Sequence, residues 1–550
     1  MPYNSALYNS ALFALLLILG LPLVAGLGQT LWGGLNPEDL WAAWRGRQLA
    51  LTLFVGITAT VLALLAALGM AACFQGRVRL LTAICLPLLA VPHAAVAQAL
   101  GLLLAPAGFL MRLLSPWATG FEAVPALWLY DQHPQGWTLI LALAIKELAF
   151  FLILIFTQSA SLPIGNLTKT ARALGYAPAA AWWHGALPNL LPRLVLPIFV
   201  VLAFSLSVVD LAVLVGPSRV KTFAHALHQD WSKGASRGQV LAGACWLLGL
   251  TLVCLAFAGA FLGMTLRWLR RAQAWPRRWA AGGLPQIGAG LGLGLFTTAG
   301  LCLALLPLQS FIETTGRRAR FPDLWTGQFA TDAWGEAAAL ALPTLPLTLA
   351  LGLCTTLFCL ATTLWLLQGE AGLRGRRSLI DTAVLLPLLL PQFALLSGGA
   401  FLGLKIGLIP EYGFWAAVWL HSLFVFPYTY LVLAPAFRGL DPLLSRAAAS
   451  LGKGPTAQFW QVKLPLLRRP MAFAVAWGLA VSLALYLPTY FASGGRFETL
   501  LTLGITQLTG RGDSLRAVWG LLLLILPLCF FLLAAALSAW QARNRRGLRP

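Results

Sequence analysis

Long apolar blocks alternate with short polar connections along the whole chain. A helix needs about 20 mostly apolar residues to cross a bilayer. Twelve blocks meet that requirement: 11–28, 49–74, 80–105, 137–158, 193–216 and 238–266, then 284–306, 337–367, 379–404, 413–436, 471–492 and 516–540. Pro and Gly recur inside them, which a helical bundle tolerates because neighbouring helices re-satisfy the backbone. The pattern predicts an all-α, polytopic membrane protein with about 12 transmembrane helices, six on either side of a basic linker at 267–283.

Composition agrees. Of 550 residues, 59% are hydrophobic and 10% charged, against about 25% charged in soluble domains. The 22 Trp suit interfacial positions. The net charge of +21 raises the question of nucleic acid. The bases sit in short clusters between apolar runs, however, which is how membrane proteins set orientation. Eight Cys lie inside apolar segments with no Cys-x-x-Cys pair, as small core hydrophobes do. No Lys or Arg precedes the stretch from Ala11 to Leu27 and no small-residue cleavage site follows it, so it reads as a retained span.

Charge gives the orientation. With both termini cytoplasmic, the inner connections hold 23 Lys and Arg and the outer ones 14, the bias expected of cytoplasmic loops. Only Glu370, Asp381 and Asp441 among the acids fall inside.

The chain also repeats. Leu86-Pro87-Leu88-Leu89 recurs as Leu386-Pro387-Leu388-Leu389. A longer match runs from Ala173 to Leu190 and again from Ser450 to Leu467, with eight identities at a constant offset of 277. The same offset links Ser205 to Ser482, and Arg219-x-x-Thr222 to Arg496-x-x-Thr499. Both long copies follow the fourth span of their half, which predicts two parallel, pseudo-symmetric six-helix halves, 1–266 and 284–550.

Each repeated loop reads as a short helix, a Gly turn, a second short helix and a Leu-Pro return to the membrane. Arg172, Ala173 and Leu174 fall on the first helix, Gly175 and Gly452 at the bend, Pro178 and Pro455 in the first turn of the second helix, and Trp183 and Trp460 on that helix near the membrane. These segments resemble the Glu-Ala-Ala loop of binding-protein-dependent transport permeases, the membrane subunits of type I ABC importers. That loop runs Glu-Ala-Ala-x-x-x-Gly, then about nine residues, then Leu-Pro. Here it reads Lys169-Thr170-Ala171 before Gly175 and Leu187-Pro188 after it. In the second copy it reads Arg446-Ala447-Ala448 before Leu451-Gly452 and Leu464-Pro465 after it. A base replaces the family Glu in both. Two loops in one chain are similar to the fused permeases of the iron(III) and thiamine importers, and the Thr-x-x-x-Leu-Gly-Tyr run of the first is most like the YnjC-like group.

The resemblance implies coupling helices that dock on two copies of a separate ABC ATPase. It also implies a substrate-binding protein on the outer face, alternating access, and a multi-pass location in the bacterial inner membrane. ATP and Mg would be bound by the partners. This chain shows no Gly-x-x-x-x-Gly-Lys-Ser/Thr loop, no cofactor motif and no catalytic motif. The resemblance points to the fifth span of each half as lining the path. Asp210 lies there, and Tyr486 and Tyr490 lie near its repeat partner Leu487; polar groups in spans carry functional weight. Adjacent Lys146 and Glu147 should pair with different neighbours. His93 and His421 read as packed residues, and His225-x-x-His228 is too sparse for a metal site. The alternative is a gradient-driven secondary transporter of the major facilitator type. Basic loops after the second and eighth spans favour it, although it leaves the repeated Gly-to-Leu-Pro loop unexplained. The substrate is open between thiamine, iron and other small molecules or ions.

Overall fold

The computed structural model describes residues 10, 12–13, 15–125, 134–273, 283–312, 321–324, 329, 331–370, 377–509 and 512–543. Among them the chain is helical, with a single antiparallel bridge between Ile312 and Phe329. A π turn over Leu16–Gly20 runs into α1 (Leu21–Gly34). There follow α2 (Pro37–Ala42), α3 (Gly46–Cys73), α4 (Val78–Ala90), α5 (His93–Leu104), α6 (Phe109–Leu114) and α7 (Trp137–Ala160). A hairpin of α8 (Ile164–Ala173) and α9 (Pro178–Gly185) leads to α10 (Leu187–Ser207), α11 (Asp210–Val215), α12 (Phe223–Ser232) and α13 (Arg237–Gln273). After α14 (Leu284–Phe311) the order recurs: α15 (Asp332–Gly369), α16 (Arg377–Leu385), α17 (Gln392–Lys405) and α18 (Leu408–Arg438). The second hairpin holds α19 (Pro442–Ser450), α20 (Pro455–Gln458), a π turn over Phe459–Lys463 and α21 (Leu464–Leu466). The chain then runs through α22 (Arg468–Leu483), α23 (Tyr486–Ser493), α24 (Leu500–Leu508) and α25 (Asp513–Arg543).

Among the described residues, ten helices are long and apolar enough to cross a membrane, or up to twelve if each of two bent pairs is one span. The expectation of continuous spans needs correction at two places in each copy. The third expected span breaks at Val91-Pro92 and at Leu390-Pro391, where the residue before each Pro is extended (ψ 127° and 142°). Pro removes a backbone donor and pushes its predecessor out of the helical region. In the second copy the pieces meet at 85°. The fifth expected span breaks at Val208 (ψ 133°) and Leu485 (ψ 99°), again 277 residues apart. At the second site an unbroken helix would drive the Pro488 ring into the carbonyl of Ala484. The expected linker 267–283 is helical through Gln273, as the end of α13; residues 274–282 lie outside the described residues.

Close crossings knit the two stretches together. A Cβ on Gly69 of α3 would come within 2.6 Å of Gly288 Cα on α14, and one on Gly398 of α17 would come within 2.1 Å of Gly26 O on α1. Small residues let membrane helices approach this closely where no hydrophobic force drives them together. Beside the second crossing, Thr30 Oγ1 donates to Ala394 O at 2.6 Å.

Both hairpins lie at one end of the bundle. Gln75, just past α3, donates to Pro178 O of the first hairpin (3.2 Å), and Cys73 Sγ at the end of α3 donates to Pro285 O at the start of α14 (3.5 Å). From there α14 crosses the bundle and α15 returns. Gln368, in the last turn of α15, accepts from Lys463 of the second hairpin at 2.8 Å.

Candidate functional site

The hairpins are built alike. In each, the chain turns on a Gly with positive φ, +88° at Gly175 and +76° at Gly452. A Cβ there would meet nothing within 4 Å, so backbone conformation and not space demands Gly. The turn closes with Tyr176 N–H donating to Ala171 O (3.2 Å) and, 277 residues later, Lys453 N–H to Ala448 O (3.0 Å). This is the helix-ending pattern that satisfies orphan carbonyls. Pro178 and Pro455 begin the second helix of each hairpin, and Leu187-Pro188 and Leu464-Pro465 begin the helices after it. Leu174 caps α8 instead of lying within it; Leu174 and its counterpart Leu451 are 60% and 79% exposed. The two Trp differ: Trp183 is buried and Trp460, on the π turn, is 61% exposed. Lys169, Arg172, Arg446 and Ala447 lie on the first helices and are exposed, while Ala171 and Ala448 are buried beneath them.

The four span breaks converge on one cavity of ≈ 180 Å³. Its wall takes Val91, Pro92 and His93 from the first break and Val208, Val209 and Asp210 from the second; the other copy supplies Leu390, Gln392, Leu485, Tyr486 and Leu487. Lys146, Glu147 and Phe150 of α7 face Phe424 and Tyr428 of α18 across it. Breaking a helix at each corner opens this space in an otherwise packed bundle and leaves backbone groups unpaired.

Lys146 answers part of that need. Its ammonium donates to Leu88 O (2.6 Å), Leu89 O (3.4 Å) and Val91 O (2.5 Å), the carbonyls at the end of α4. A cation there also complements the helix dipole. Neighbouring Glu147 turns elsewhere, with Oε1 3.7 Å from Nε2 of His93, which opens α5 and rests against Phe204. His93 is therefore a cavity residue, and its expected role as a packed residue within a span is corrected. Asp210 begins α11 half-buried at the cavity edge.

Tyr486 lines the cavity; Tyr490, one turn on, is outside its wall. The two rings stack at 5.7 Å and both pack on His228 of α12, whose Nε2 lies 3.3 Å from Tyr486 Oη. His225 and His228 are buried, and burial pushes both imidazoles down to about 4. No group of three or more metal-ligating side chains occurs among the described residues. His421 is fully packed, as expected: Nδ1 lies 2.9 Å from Ser482 Oγ on α22 and Nε2 2.9 Å from Thr489 Oγ1 on α23. It staples the two pieces of the broken fifth span.

The family described as binding-protein-dependent transport system inner membrane component matches residues 371–549. Over 468 residues, 84% of this chain and 82% of the relative, the sequence is 32% identical to the inner membrane ABC transporter permease protein YnjC of Escherichia coli (strain K12). The chain belongs to this permease family. It is a membrane permease subunit of an ABC transporter and a multi-pass inner-membrane protein.

The permease carries features that the sequence reading missed. Arg438 at the end of α18 donates to Glu370 Oε2 (2.9 Å) and Asp381 Oδ1 (2.9 Å), and Tyr430 Oη donates to Asp381 Oδ1 (2.6 Å). Glu370 and Asp381 are thus held in one clamp joining α15, α16 and α18. The repeat also reaches further than 173–222. Thr52-x-x-x-Gly56-x-x-x-Thr60 on α3 recurs as Thr348-x-x-x-Gly352-x-x-x-Thr356 on α15. Thr52 accepts from Phe223 N–H (2.8 Å) and Thr348 from Leu500 N–H (2.9 Å), the first residues of α12 and α24. The offset here is 296, so a search in the register of 277 passes over it.

Proposed function

We propose that this permease is the whole translocation unit of an ATP-driven, binding-protein-dependent importer, with both halves in one chain. Residues 1–266 and 284–550 form parallel halves around the cavity. The hairpins at 169–190 and 446–467 are coupling helices, each docking on one copy of an ABC ATPase that binds ATP and Mg. The observation that carries this reading is the recurrence of the hairpin, with the same turn bonds and the same outward Leu, at one end of the bundle. A substrate-binding protein delivers cargo at the opposite end, and both termini are cytoplasmic. Closing the ATPase pair moves the hairpins, and the halves rock about the cavity between inward- and outward-open states. Asp210 and Tyr486 meet the cargo; Tyr490 supports Tyr486 from behind. The chain itself needs no catalytic residue for this cycle.

The test is to co-express the chain with candidate ATPase subunits, purify the complex and measure ATP hydrolysis with Gly175→Trp and Gly452→Trp. Substrate-stimulated hydrolysis lost in each variant supports two working loops. Failure to form any complex, together with gradient-driven uptake by the chain alone, overturns the proposal in favour of a secondary transporter.

A further inference from the structure

The cavity is chemically lopsided. Every charged group in its wall comes from the first copy: Lys146, Glu147 and Asp210. The second copy contributes uncharged polar groups and rings, among them Tyr428, Trp477 and Tyr486. Lys146 keeps its positive charge but has no donor left for a ligand, because an ammonium has three donors and three carbonyls at the end of α4 accept from it; with Glu147 and Asp210 ionised, the wall sets two negative charges against one positive. The space is thus lined by two carboxylates and one ammonium, all from the first copy, and by aromatic rings of both copies, Phe150 and Phe204 from the first and Tyr428, Trp477 and Tyr486 from the second.

That arrangement selects by charge. An anion would meet a net negative wall whose one ammonium has its donors taken up, at a cost that rises in a low-dielectric interior. A bare metal ion would need convergent ligands, and Glu147, Asp210 and His93 do not form such a group. Aromatic faces attract a diffuse positive charge, and quaternary ammonium groups are recognised by such walls. The cavity volume of ≈ 180 Å³ is several times the roughly 10–15 Å³ that one water requires on the same measure.

We propose that the cavity takes a monovalent organic cation, a quaternary or protonated amine on a flat apolar body, with Asp210 and Glu147 as counter-charges and Tyr428, Trp477 and Tyr486 as the ring faces. Transport of that cation rests on the permease reading above; its binding to the cavity does not.

The experiment uses the full chain in lipid nanodiscs and radiolabelled benzyltrimethylammonium as probe. Saturable binding is expected, competed by unlabelled probe but not by neopentylbenzene, its neutral isostere, or by phenylacetate. Asp210→Asn and Glu147→Gln should each weaken binding about tenfold or more, while Asp210→Glu retains most of it. Size-exclusion profiles and melting temperatures identify any variant that fails to fold, and Asp210→Glu then stands as the folded comparison. No saturable binding, equal competition by the isostere or by phenylacetate, or unchanged affinity in both folded neutral variants overturns the proposal. ATPase complex formation is assayed in parallel. A complex without cation binding defeats this inference alone, and cation binding without a complex defeats only the coupling reading.

Discussion

Lys146 Nζ lies 2.6 Å from the carbonyl oxygen of Leu88, and one side chain on α7 thereby caps the broken end of α4. The ammonium replaces the backbone donors that Pro92 and the turn at Val91 remove. Lys146→Met should leave buried carbonyls unsatisfied, at about 1–3 kcal/mol. A lowered melting temperature of the purified chain checks this, and Lys146→Arg should recover part of the loss. No change in Lys146→Met would mean that water caps the helix equally well.

His421 joins Ser482 to Thr489 across the second break of the fifth span. At the offset of 277 the first copy has Ala144, Ser205 and Ala212 instead, and Ser205 Oγ is buried without a partner. His421→Ala should cost about 1–3 kcal/mol, because the buried Ser482 hydroxyl loses its partner and Thr489, which still donates to Leu485 O, loses one of two. The triple change His421→Leu, Ser482→Ala and Thr489→Val should be milder than the single one, since paired removal leaves nothing unsatisfied. Melting curves of the two variants decide it.

The clamp on Arg438 predicts unequal losses. The Glu370 side chain is 3% exposed whereas that of Asp381 is 41% exposed. Arg438→Gln strands a buried carboxylate and should destabilise the chain more than Asp381→Asn. Glu370→Gln in the Arg438→Gln background should restore part of the stability, measured as retained monodisperse protein after heating.

His225 and His228 give a pH dependence. Burial holds both neutral, with pKa values of about 4 in the folded chain, against about 6.5 unfolded. The unfolded chain binds more protons between these values, so stability is complete above about 6.5 and falls as the pH drops toward about 4. His228→Phe should flatten that slope, read as melting temperature at stepped pH. A slope unchanged in His225→Asn and His228→Phe together would show that neither imidazole is held neutral.

How much was legible in advance follows from range. The apolar blocks, the repeat at 277 and the Gly-to-Leu-Pro loops are local patterns. A bilayer imposes a fixed length on each crossing, and a turn at positive φ imposes Gly at Gly175 and Gly452. Those constraints act within a few residues, so they can be read from order alone, and they led to the permease family. The break at Pro92 was equally local but was hidden by hydropathy, because a bent pair is as apolar as a straight span.

Tertiary structure decided what those elements build. That the four breaks meet at one cavity, that Lys146 is spent on the carbonyls beyond Leu88 while Glu147 faces His93, and that Tyr486 lines the space while Tyr490 packs on His228 are outcomes of helix packing. So is the crossing of Gly26 on Gly398. The physical reason is that neighbours on a helix diverge by about 100° per residue. Sequence therefore placed Lys146 and Glu147 side by side in the chain, and only the packed bundle could say what each one touches.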